Sequence, residues 1–381
     1  MNVQLVLLIV LCNMTCLRAS RILVSLFAIE LGAPQYMIGV MIALYALFPA
    51  MLAVYAGRLS DRIGPRWPMI GGTAGAVIGL LIPFLAPGLP ALCLSALVFG
   101  ISFVFYHVTV QSMLGAISSD ATRTRNFSNY SLMIAAGGSL GPLGAGFSID
   151  HFGFGNTYLY LALLALIPLV LLATSRALRD TSIPAAAKSD APAETRATGD
   201  LLRHKPLRSP LIGSTAILTG TDLFEFYMPI YGHSIGLSAS ECGFVLSTMG
   251  VAAFVVRIVM PWLSRRTGEA PLLAWSLFLG AGAFLVFPLF KNMLVLTIFA
   301  FLLGLSLGCG QPLSTILIYA RSPQGRTGEA LGLRLAINNA THVIIPLAAG
   351  SIGSVFGVGP VFWINAMMLA GGGVLVRRGS A

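Results

Sequence analysis

Two arginines and two carboxylates occupy corresponding places in apolar stretches of the chain. Arg18 and Arg21 are three residues apart, which places both on one face of a helix. Asp222 and Glu225 follow them by 204 positions. Burial favours the protonated form of a carboxyl group, whereas a nearby arginine favours its charged form. The four residues therefore predict either a site that gains and loses a proton at Asp222 or Glu225, or a structural ion pair that keeps its charges.

Further polar residues recur in two other apolar stretches with the same separation. His107 and Gln111 are four residues apart, and Gln311 and Thr315 repeat that spacing 204 positions later. Residues spaced in this way lie on one face of a helix. We therefore expect a second pair of helices to present polar groups at matching depth.

Two further arginines lie within other apolar stretches. Arg334, Asn338 and His342 form an i, i+4, i+8 stripe, and Arg257 lies near the end of another stretch. Guanidinium groups bind carboxylates and phosphates well, which favours an anionic substrate. The alternative is that Arg257 and Arg334 extend to the membrane surface, in which case the argument for an anion disappears.

Composition indicates the environment of these residues. Of 381 residues, 56% are hydrophobic and 9% are charged, and the mean hydropathy is +0.87. A soluble domain carries about 25% charged residues, so this composition excludes a soluble enzyme, a disordered chain and a secreted disulfide scaffold. The five cysteines show no metal-binding or disulfide spacing. The chain must be surrounded by lipid.

Twelve stretches are long enough to cross a bilayer, which takes about 20 mostly apolar residues. The first begins close to Met1 and continues past Ser20, so it is interpreted as a span and not as a signal peptide. The predicted spans are residues 4–30, 35–57, 68–87, 90–113, 126–149, 155–175, 209–233, 238–262, 270–289, 292–319, 328–352 and 356–376.

Charge placement predicts the orientation. The loops after even-numbered spans, the central polar stretch and the C-terminal tail hold most of the 23 basic residues, whereas Lys291 lies on the opposite side. Basic residues accumulate on the cytoplasmic side. We therefore expect a multi-pass protein of a bacterial inner membrane with both termini in the cytoplasm.

A polar stretch divides the spans into two sets of six. It is rich in Ala, Pro and Thr and lacks apolar periodicity, which is typical of a flexible linker. The predicted domains are an N-terminal six-helix bundle (1–175), a cytoplasmic linker (176–208) and a C-terminal six-helix bundle (209–381).

The two halves repeat each other. A shift of 204 residues aligns glycines, prolines and short motifs across several spans without gaps. Two parallel six-helix repeats are a transporter architecture. Aligned pairs include Leu59-Ser60 with Leu263-Ser264, Gly64 with Gly268, Gly100 with Gly304, Pro142-Leu143 with Pro346-Leu347, and Gly153 with Gly357.

A basic motif between the second and third spans carries a family resemblance. The stretch Gly57-Arg58-Leu59-Ser60-Asp61-Arg62-Ile63-Gly64-Pro65-Arg66 resembles the cytoplasmic loop signature of the major facilitator superfamily. Residues 261–268 hold a degenerate copy, with Arg265 where Asp61 would repeat. The resemblance extends over the whole chain and is to the twelve-helix branch of drug/proton antiporters.

The resemblance implies a conformational latch. Asp61 would accept from the N–H groups at the start of the eleventh helix, and Arg62 would pair with Asp120. Gly57 would let the loop approach closely, and Gly64 would supply a turn. A solvated basic loop with only a topological role is the alternative. The expected latch residues are Gly57, Asp61, Arg62, Gly64, Arg66 and Asp120.

The fifth span resembles the antiporter signature of the same family. Its small residues allow close helix contact, and its proline can bend the helix. Ordinary helix packing is the alternative. The residues concerned are Gly137, Gly141, Pro142 and Gly146, with Ala145 replacing one glycine. Ala96 stands where drug antiporters of the family carry an arginine, which puts the usual coupling residue in doubt.

The implied fold is an all-α membrane protein with the major facilitator fold, that is, twelve transmembrane helices in two pseudo-symmetric six-helix bundles. In this family the first, fourth, seventh and tenth helices line a central cavity. The residues expected to bind substrate are Arg18, Arg21, His107, Gln111, Asp222, Glu225, Gln311 and Thr315, with Asp222 and Glu225 coupling protons.

These expectations define a function class. We expect a secondary active transporter that moves a small organic molecule by alternating access, either as proton-coupled efflux or as proton-coupled uptake of an organic anion. The sequence shows no metalloprotease motif, nucleotide loop or hydrolase triad, so an enzyme is not expected. The expected partners are a small-molecule substrate, protons and lipid, with no cofactor, metal or nucleic acid, in a monomer.

Overall fold

The computed structural model describes residues 3–118, 120–175, 201, 204–323 and 326–378. Twelve helices account for nearly all of these described residues, which confirms the predicted all-α class. They are α1 (Val3–Glu30), α2 (Gln35–Ile63), α3 (Arg66–Leu85), α4 (Leu89–Ile117), α5 (120–152), α6 (154–174), α7 (Lys205–Ser234), α8 (Ala239–Thr267), α9 (Glu269–Val286), α10 (Met293–Arg321), α11 (Thr327–Phe356) and α12 (Val358–Arg378), with a 3₁₀ turn at Phe287–Leu289.

Gly153 separates α5 from α6. The helical stretch Asp120–Thr174 is interrupted there by φ 78° and ψ 171°, a conformation that is almost confined to glycine. The predicted spans 126–149 and 155–175 lie on the two sides of this break.

The helices are long and apolar enough for a multi-pass membrane protein. In the described residues ten segments meet the length and composition of a membrane span, and the segment Arg125–Thr174 covers both α5 and α6. Helix α7 is not among the ten, and it is the helix that carries Asp222 and Glu225. The predicted acidic site therefore lies on a helix whose composition falls short of that of the ten segments.

Several helices extend beyond the predicted spans at their basic ends. Helix α2 continues to Ile63 and α8 continues to Thr267. Charged residues such as arginine are good helix formers, so a helix does not end where its apolar composition ends. The motif that begins at Gly57 was predicted to lie between the second and third spans, but its residues 57–63 continue α2.

The central linker lies mostly outside the described residues. The linker residues that the structure does not describe are 176–200, 202 and 203. The stretch 205–208, predicted as linker, instead forms the first turn of α7. Pro206 explains the earlier start, since proline is favoured in the first turn of a helix.

Contacts divide the chain into two compact units. The first comprises Met1–Pro192 with Ser238–Gly243, and the second comprises Ala193–Leu237 with Phe244–Ala381. In the first unit α1 packs along the α5–α6 stretch, and α4 packs against α2 and α3. In the second unit α7 contacts α10, α11 and α12, while α9 contacts α10 and α12.

The same close approach occurs once in each unit. A Cβ on Gly100 of α4 would meet the backbone of Leu44 and Tyr45 on α2. A Cβ on Gly304 of α10 would meet the backbone of Met249 on α8. Gly304 follows Gly100 by 204 positions, so the repeat seen in the sequence also appears in the packing of each unit.

Glycines with positive φ show the repeat most clearly. Among the described residues every positive φ belongs to a glycine, and each of these glycines has a partner 204 positions away. A side chain is strained in this conformation, which explains why glycine is kept at both positions. The pairs are Gly32 with Gly236, Gly64 with Gly268, and Gly153 with Gly357. The predicted turn at Gly64 is thereby confirmed.

The start of α8 belongs to the first unit and is capped in two ways. Ser238 and Glu241 form a capping box, in which each backbone N–H donates to the other side chain, at 2.8 Å and 3.2 Å. Asp150 near the end of α5 accepts from the N–H groups of Ala239 and Ser240 at 3.1 Å and 2.8 Å. A carboxylate is favoured at this position by the exposed donors of a helix N-terminus.

Candidate functional site

The second unit contains a buried contact between an acid and a histidine. Asp222 projects from α7, and its side chain is 6% exposed. His342 projects from α11 and places Nδ1 2.5 Å from Asp222 Oδ2, with 32% of its side chain exposed. Both groups can take up a proton, and the pair lies at the middle of two spanning helices. This contact could not be obtained from the spacing within either helix alone.

Arg334 forms a second polar contact of the same helices. Its Nε donates to Ser214 Oγ on α7 at 3.0 Å. Its Nη2 donates to the side-chain oxygen of Gln311 on α10, and to the Gln311 backbone oxygen at 3.3 Å. Thr315 donates to the same backbone oxygen at 2.8 Å. Arg334 is therefore held among α7, α10 and α11 and does not simply extend to the membrane surface.

Asn338 lies on α11 between these two contacts. It is 8% exposed, and its Oδ1 has no hydrogen-bond partner among the residues that the structure describes. Together with Arg334 and His342 it forms the predicted stripe, which faces α7 at both ends through Ser214 and Asp222. The stripe is thus an internal polar layer of the second unit.

The first unit holds a polar cluster centred on His107. His107 Nε2 lies 3.1 Å from the Tyr130 hydroxyl and 3.1 Å from Gln111 Nε2. The imidazole also stacks on Phe103, with the ring centres 5.0 Å apart. Tyr130, which projects from α5, was not predicted as a site residue.

The two polar clusters are related by the internal repeat. Tyr130 contacts His107, and Arg334 contacts Gln311. Each residue of the second contact follows its counterpart in the first by 204 positions. Tyr130 could therefore have been found by applying the repeat in reverse to Arg334.

The remaining predicted residues are partly buried on the expected helices. Arg18 and Arg21 lie on α1, and Glu225 lies on α7 one turn from Asp222. Arg257 of α8 donates from Nε to the Gly308 backbone oxygen at 3.3 Å. The pairing of Arg18 or Arg21 with an acid of α7 stays a prediction.

The expected latch residues fall at the ends of α2, α3 and α5. Arg62 is exposed in the last turn of α2. Arg66, the first residue of α3, donates to the Ala173 backbone oxygen at 2.7 Å, which satisfies a terminal carbonyl of α6. The side chains of Asp61 and Asp120 lie outside the part of the chain that the structure describes.

The glycines of the fifth span lie at helix contacts of the first unit. A Cβ on Gly137 or Gly141 would meet the backbone of α1, including Thr15. A Cβ on Gly146 would meet the backbone of Ala239 at the start of α8. By contrast, nothing lies close to the Cβ position of Gly144. The glycines that matter for packing are thus those facing α1 and α8.

Polar residues inside membrane-spanning helices mark a functional site, such as the path of a substrate or an ion. The sequence profile of the Major Facilitator Superfamily matches residues 6–297, and the chain belongs to that family. It is a multi-pass transporter of small molecules and not an enzyme.

Relatives support this assignment over most of the chain. An uncharacterized MFS-type transporter of Bacillus subtilis (strain 168), YuxJ, is 21% identical over 348 residues, which cover 91% of this chain and 88% of YuxJ. The multidrug resistance protein MdtG of Klebsiella pneumoniae (strain 342) is 23% identical over 336 residues, which cover 86% and 80%. The crystal structure of the nucleoside transporter NupG has a TM-score of 0.77 at 15% identity and covers 100% of this chain and 99% of NupG, which shows the shared fold.

Proposed function

We propose that this transporter is a proton-coupled exporter of a small organic molecule and that Asp222 carries the proton. The observation that carries the proposal is the contact of the buried Asp222 with the partly exposed His342. A carboxylate removed from water is costly unless a partner offsets its charge. Protonation of either group changes this contact, so the proton and the arrangement of α7 and α11 are coupled.

The two members of the pair have different access to solvent. His342 is the more exposed member, and Asp222 is the more buried one. In the proposed mechanism His342 passes protons between water and Asp222, and Asp222 takes up and releases the transported proton. Glu225, one turn along α7, is the second candidate for proton coupling. The other residues proposed to bind substrate lie on the helices that the family resemblance predicts to line the cavity, namely Arg18, Arg21, His107, Gln111, Gln311 and Thr315.

Export is favoured by the relatives. MdtG is a multidrug resistance protein by name, and export from the cell is one way in which a membrane transporter confers resistance. We infer that the chain functions as a monomer in the bacterial inner membrane with both termini in the cytoplasm. The positive-inside rule supports this orientation, because Arg265, Arg266, Arg377 and Arg378 end α8 and α12. Two six-helix domains, the second beginning with α7 at Lys205, and the latch centred on Asp61 belong to the same proposal.

A second candidate function is uptake of an organic anion together with protons. Arg334 favours it, because its guanidinium group lies in the same polar layer as Asp222 and suits a carboxylate or phosphate. Export and uptake use the same residues and differ in the direction in which the proton gradient drives the substrate.

Transport in proteoliposomes tests both candidates. A lipophilic cationic dye and an organic sulfonate are offered to vesicles with either the inside or the outside acidified. Export by antiport predicts accumulation only with an acidic interior, whereas symport predicts accumulation only with an acidic exterior. Accumulation without dependence on either gradient would contradict proton coupling.

Variants of the acidic site test the assignment of Asp222. We expect Asp222→Asn to lose gradient-driven accumulation while retaining exchange of substrate across vesicles without a gradient. Glu269→Gln is the matched control, because Glu269 is an exposed acid in the first turn of α9. Gradient-driven accumulation that persists in the double variant Asp222→Asn, Glu225→Gln would remove the basis for this proton site.

A further inference from the structure

A groove on the second unit lies outside the polar layer described above. It runs between α7, α11 and α12 and encloses a volume of about 570 Å³. Apolar side chains form most of its walls, among them Leu211, Ile212, Ile337, Met368 and Leu375. Arg208 is the one charged side chain among the described residues that line it.

The groove opens to the surroundings of the helices. Ile212, Met368 and Leu375 are 41%, 41% and 46% exposed. Apolar side chains with this exposure are suited to contact with the acyl chains of a bilayer. The groove is therefore accessible from the lipid.

The internal repeat shows that the floor of the groove differs between the two halves. Small residues form its floor, where Gly372 approaches Ala216 of α7, and Gly371 lies beside it. The residues 204 positions earlier are Pro168, Cys12 and Ile167, each larger than its counterpart.

The wall positions are apolar and packed in both halves, so the halves differ mainly at the floor and at Arg208. Leu7, Met133 and Leu171 are the counterparts of Leu211, Ile337 and Leu375. All three pack against the buried core cluster of the first unit. The charge is absent as well, because Gln4 stands where the second half has Arg208.

The positions of the lining residues along α7 and α12 show that the two ends of the groove differ in chemistry. At 1.5 Å per residue, Arg208 and Thr215 are about 10 Å apart along α7. Leu375 is near the end of α12 that carries Arg377 and Arg378, and Gly213 of α7 lies against Val376 of that end. The groove therefore has a basic end at Arg208 and an apolar end near Met368.

We propose that this groove is a binding site for an anionic phospholipid. One acyl chain lies along the apolar floor formed by α7 and α12, and the phosphate lies at Arg208. Basic pockets between membrane helices bind anionic headgroups, and a guanidinium group suits a phosphate. With the proposed orientation of the termini, the lipid comes from the cytoplasmic leaflet. A cationic amphiphile is disfavoured, since no acid is among the described lining residues.

Native mass spectrometry of the full-length protein tests this site. Delipidated protein in detergent is titrated with phosphatidylglycerol or with phosphatidylcholine, and the bound lipid is counted. We expect one phosphatidylglycerol to be retained, with phosphatidylcholine bound about fivefold more weakly, as one arginine near the headgroup implies. Equal retention of the two lipids would overturn the proposal.

Two variants give the groove the residues of the first half. Gly371→Ile fills it, and the new side chain meets no atom within 4 Å at its Cβ, so the fold is retained. We expect this variant to lose about tenfold or more in affinity for phosphatidylglycerol, as expected when apolar contact with an acyl chain is blocked. Arg208→Gln is expected to lose the preference for phosphatidylglycerol but to keep binding of both lipids.

Matched controls separate the site from general effects. Gly282→Ile places the same side chain on an exposed position of α9 with nothing within 4 Å, and Arg265→Gln removes a basic residue from the end of α8. Both are expected to bind lipid like the unmodified protein. Wild-type retention in Gly371→Ile, or displacement of phosphatidylglycerol by a lipophilic cation, would contradict a lipid site.

Discussion

The two halves of the protein share their turns and differ in their polar chemistry. Glycines with positive φ stand at the same repeat positions in both halves. At the level of the polar layer, Tyr130 and His107 in the first half correspond to Arg334 and Gln311 in the second. The backbone requirement for glycine has therefore been kept, while the side chains of the layer have diverged.

Helix packing differs in the same way. Gly137 and Gly141 bring α5 against the backbone of α1. The corresponding residues of α11 are Thr341 and Ile345, which are larger. The first half thus closes this helix contact with glycines, whereas the second half fills it with side chains and places His342 beside Asp222.

The largest loss of stability is expected when a large side chain is placed in the close contact between α5 and α1 of the first half. In Gly141→Leu the new side chain meets the backbone of α1, which cannot move as a flexible side chain can, and we expect a loss of about 3 kcal/mol. Gly144→Leu is the control, because nothing lies within 4 Å of its Cβ position. The melting temperature in detergent distinguishes the two. Equal melting temperatures would contradict the difference in packing between the halves.

A smaller effect is expected at the shared turns. Gly153→Ala and Gly357→Ala each place a side chain at φ near 80° and ψ near 180°, which costs about 1–3 kcal/mol. Gly155→Ala and Gly359→Ala, two residues further on, have open space and no positive φ, and we expect no loss of stability. Thermal unfolding of all four variants checks the comparison. A loss in only one half would show that the repeat does not impose the same turn on both.

The smallest effect concerns the polar cluster of the first half. Tyr130→Phe removes the hydroxyl that lies 3.1 Å from His107, and we expect a loss of about 1 kcal/mol. Tyr158→Phe is the matched control, since the buried Tyr158 hydroxyl has no hydrogen-bond partner among the described residues. Melting temperatures measured under the same conditions compare the two. A larger loss in Tyr158→Phe would remove the energetic role assigned to the Tyr130 contact.

Much of the fold could be predicted from the sequence. The length of each apolar stretch predicts a span, and the 204-residue repeat shows which glycines recur in both halves. The break at Gly153 and the turn at Gly64 follow from glycine positions in this way. Helix ends could not be predicted as well, since α2 continues through charged residues to Ile63. A span ends where lipid ends, but a helix ends where its backbone geometry changes.

The site could be predicted only in part. The spacing within one helix identifies residues on a shared face, which was sufficient for the stripe from Arg334 to His342. Spacing does not show which neighbouring helix the face contacts, so the partners Ser214 and Asp222 required the structure. Tyr130 was missed because a tyrosine near the end of a span resembles an ordinary interface residue.

The central claim is that Asp222 in the second half takes up and releases the transported proton. Proton release on substrate binding, followed with a pH indicator in weakly buffered detergent solution, measures this most directly. The cationic dye bound by the wild-type protein should displace protons, whereas Asp222→Asn should bind the same dye and displace none. Undiminished proton release from Asp222→Asn would contradict the claim.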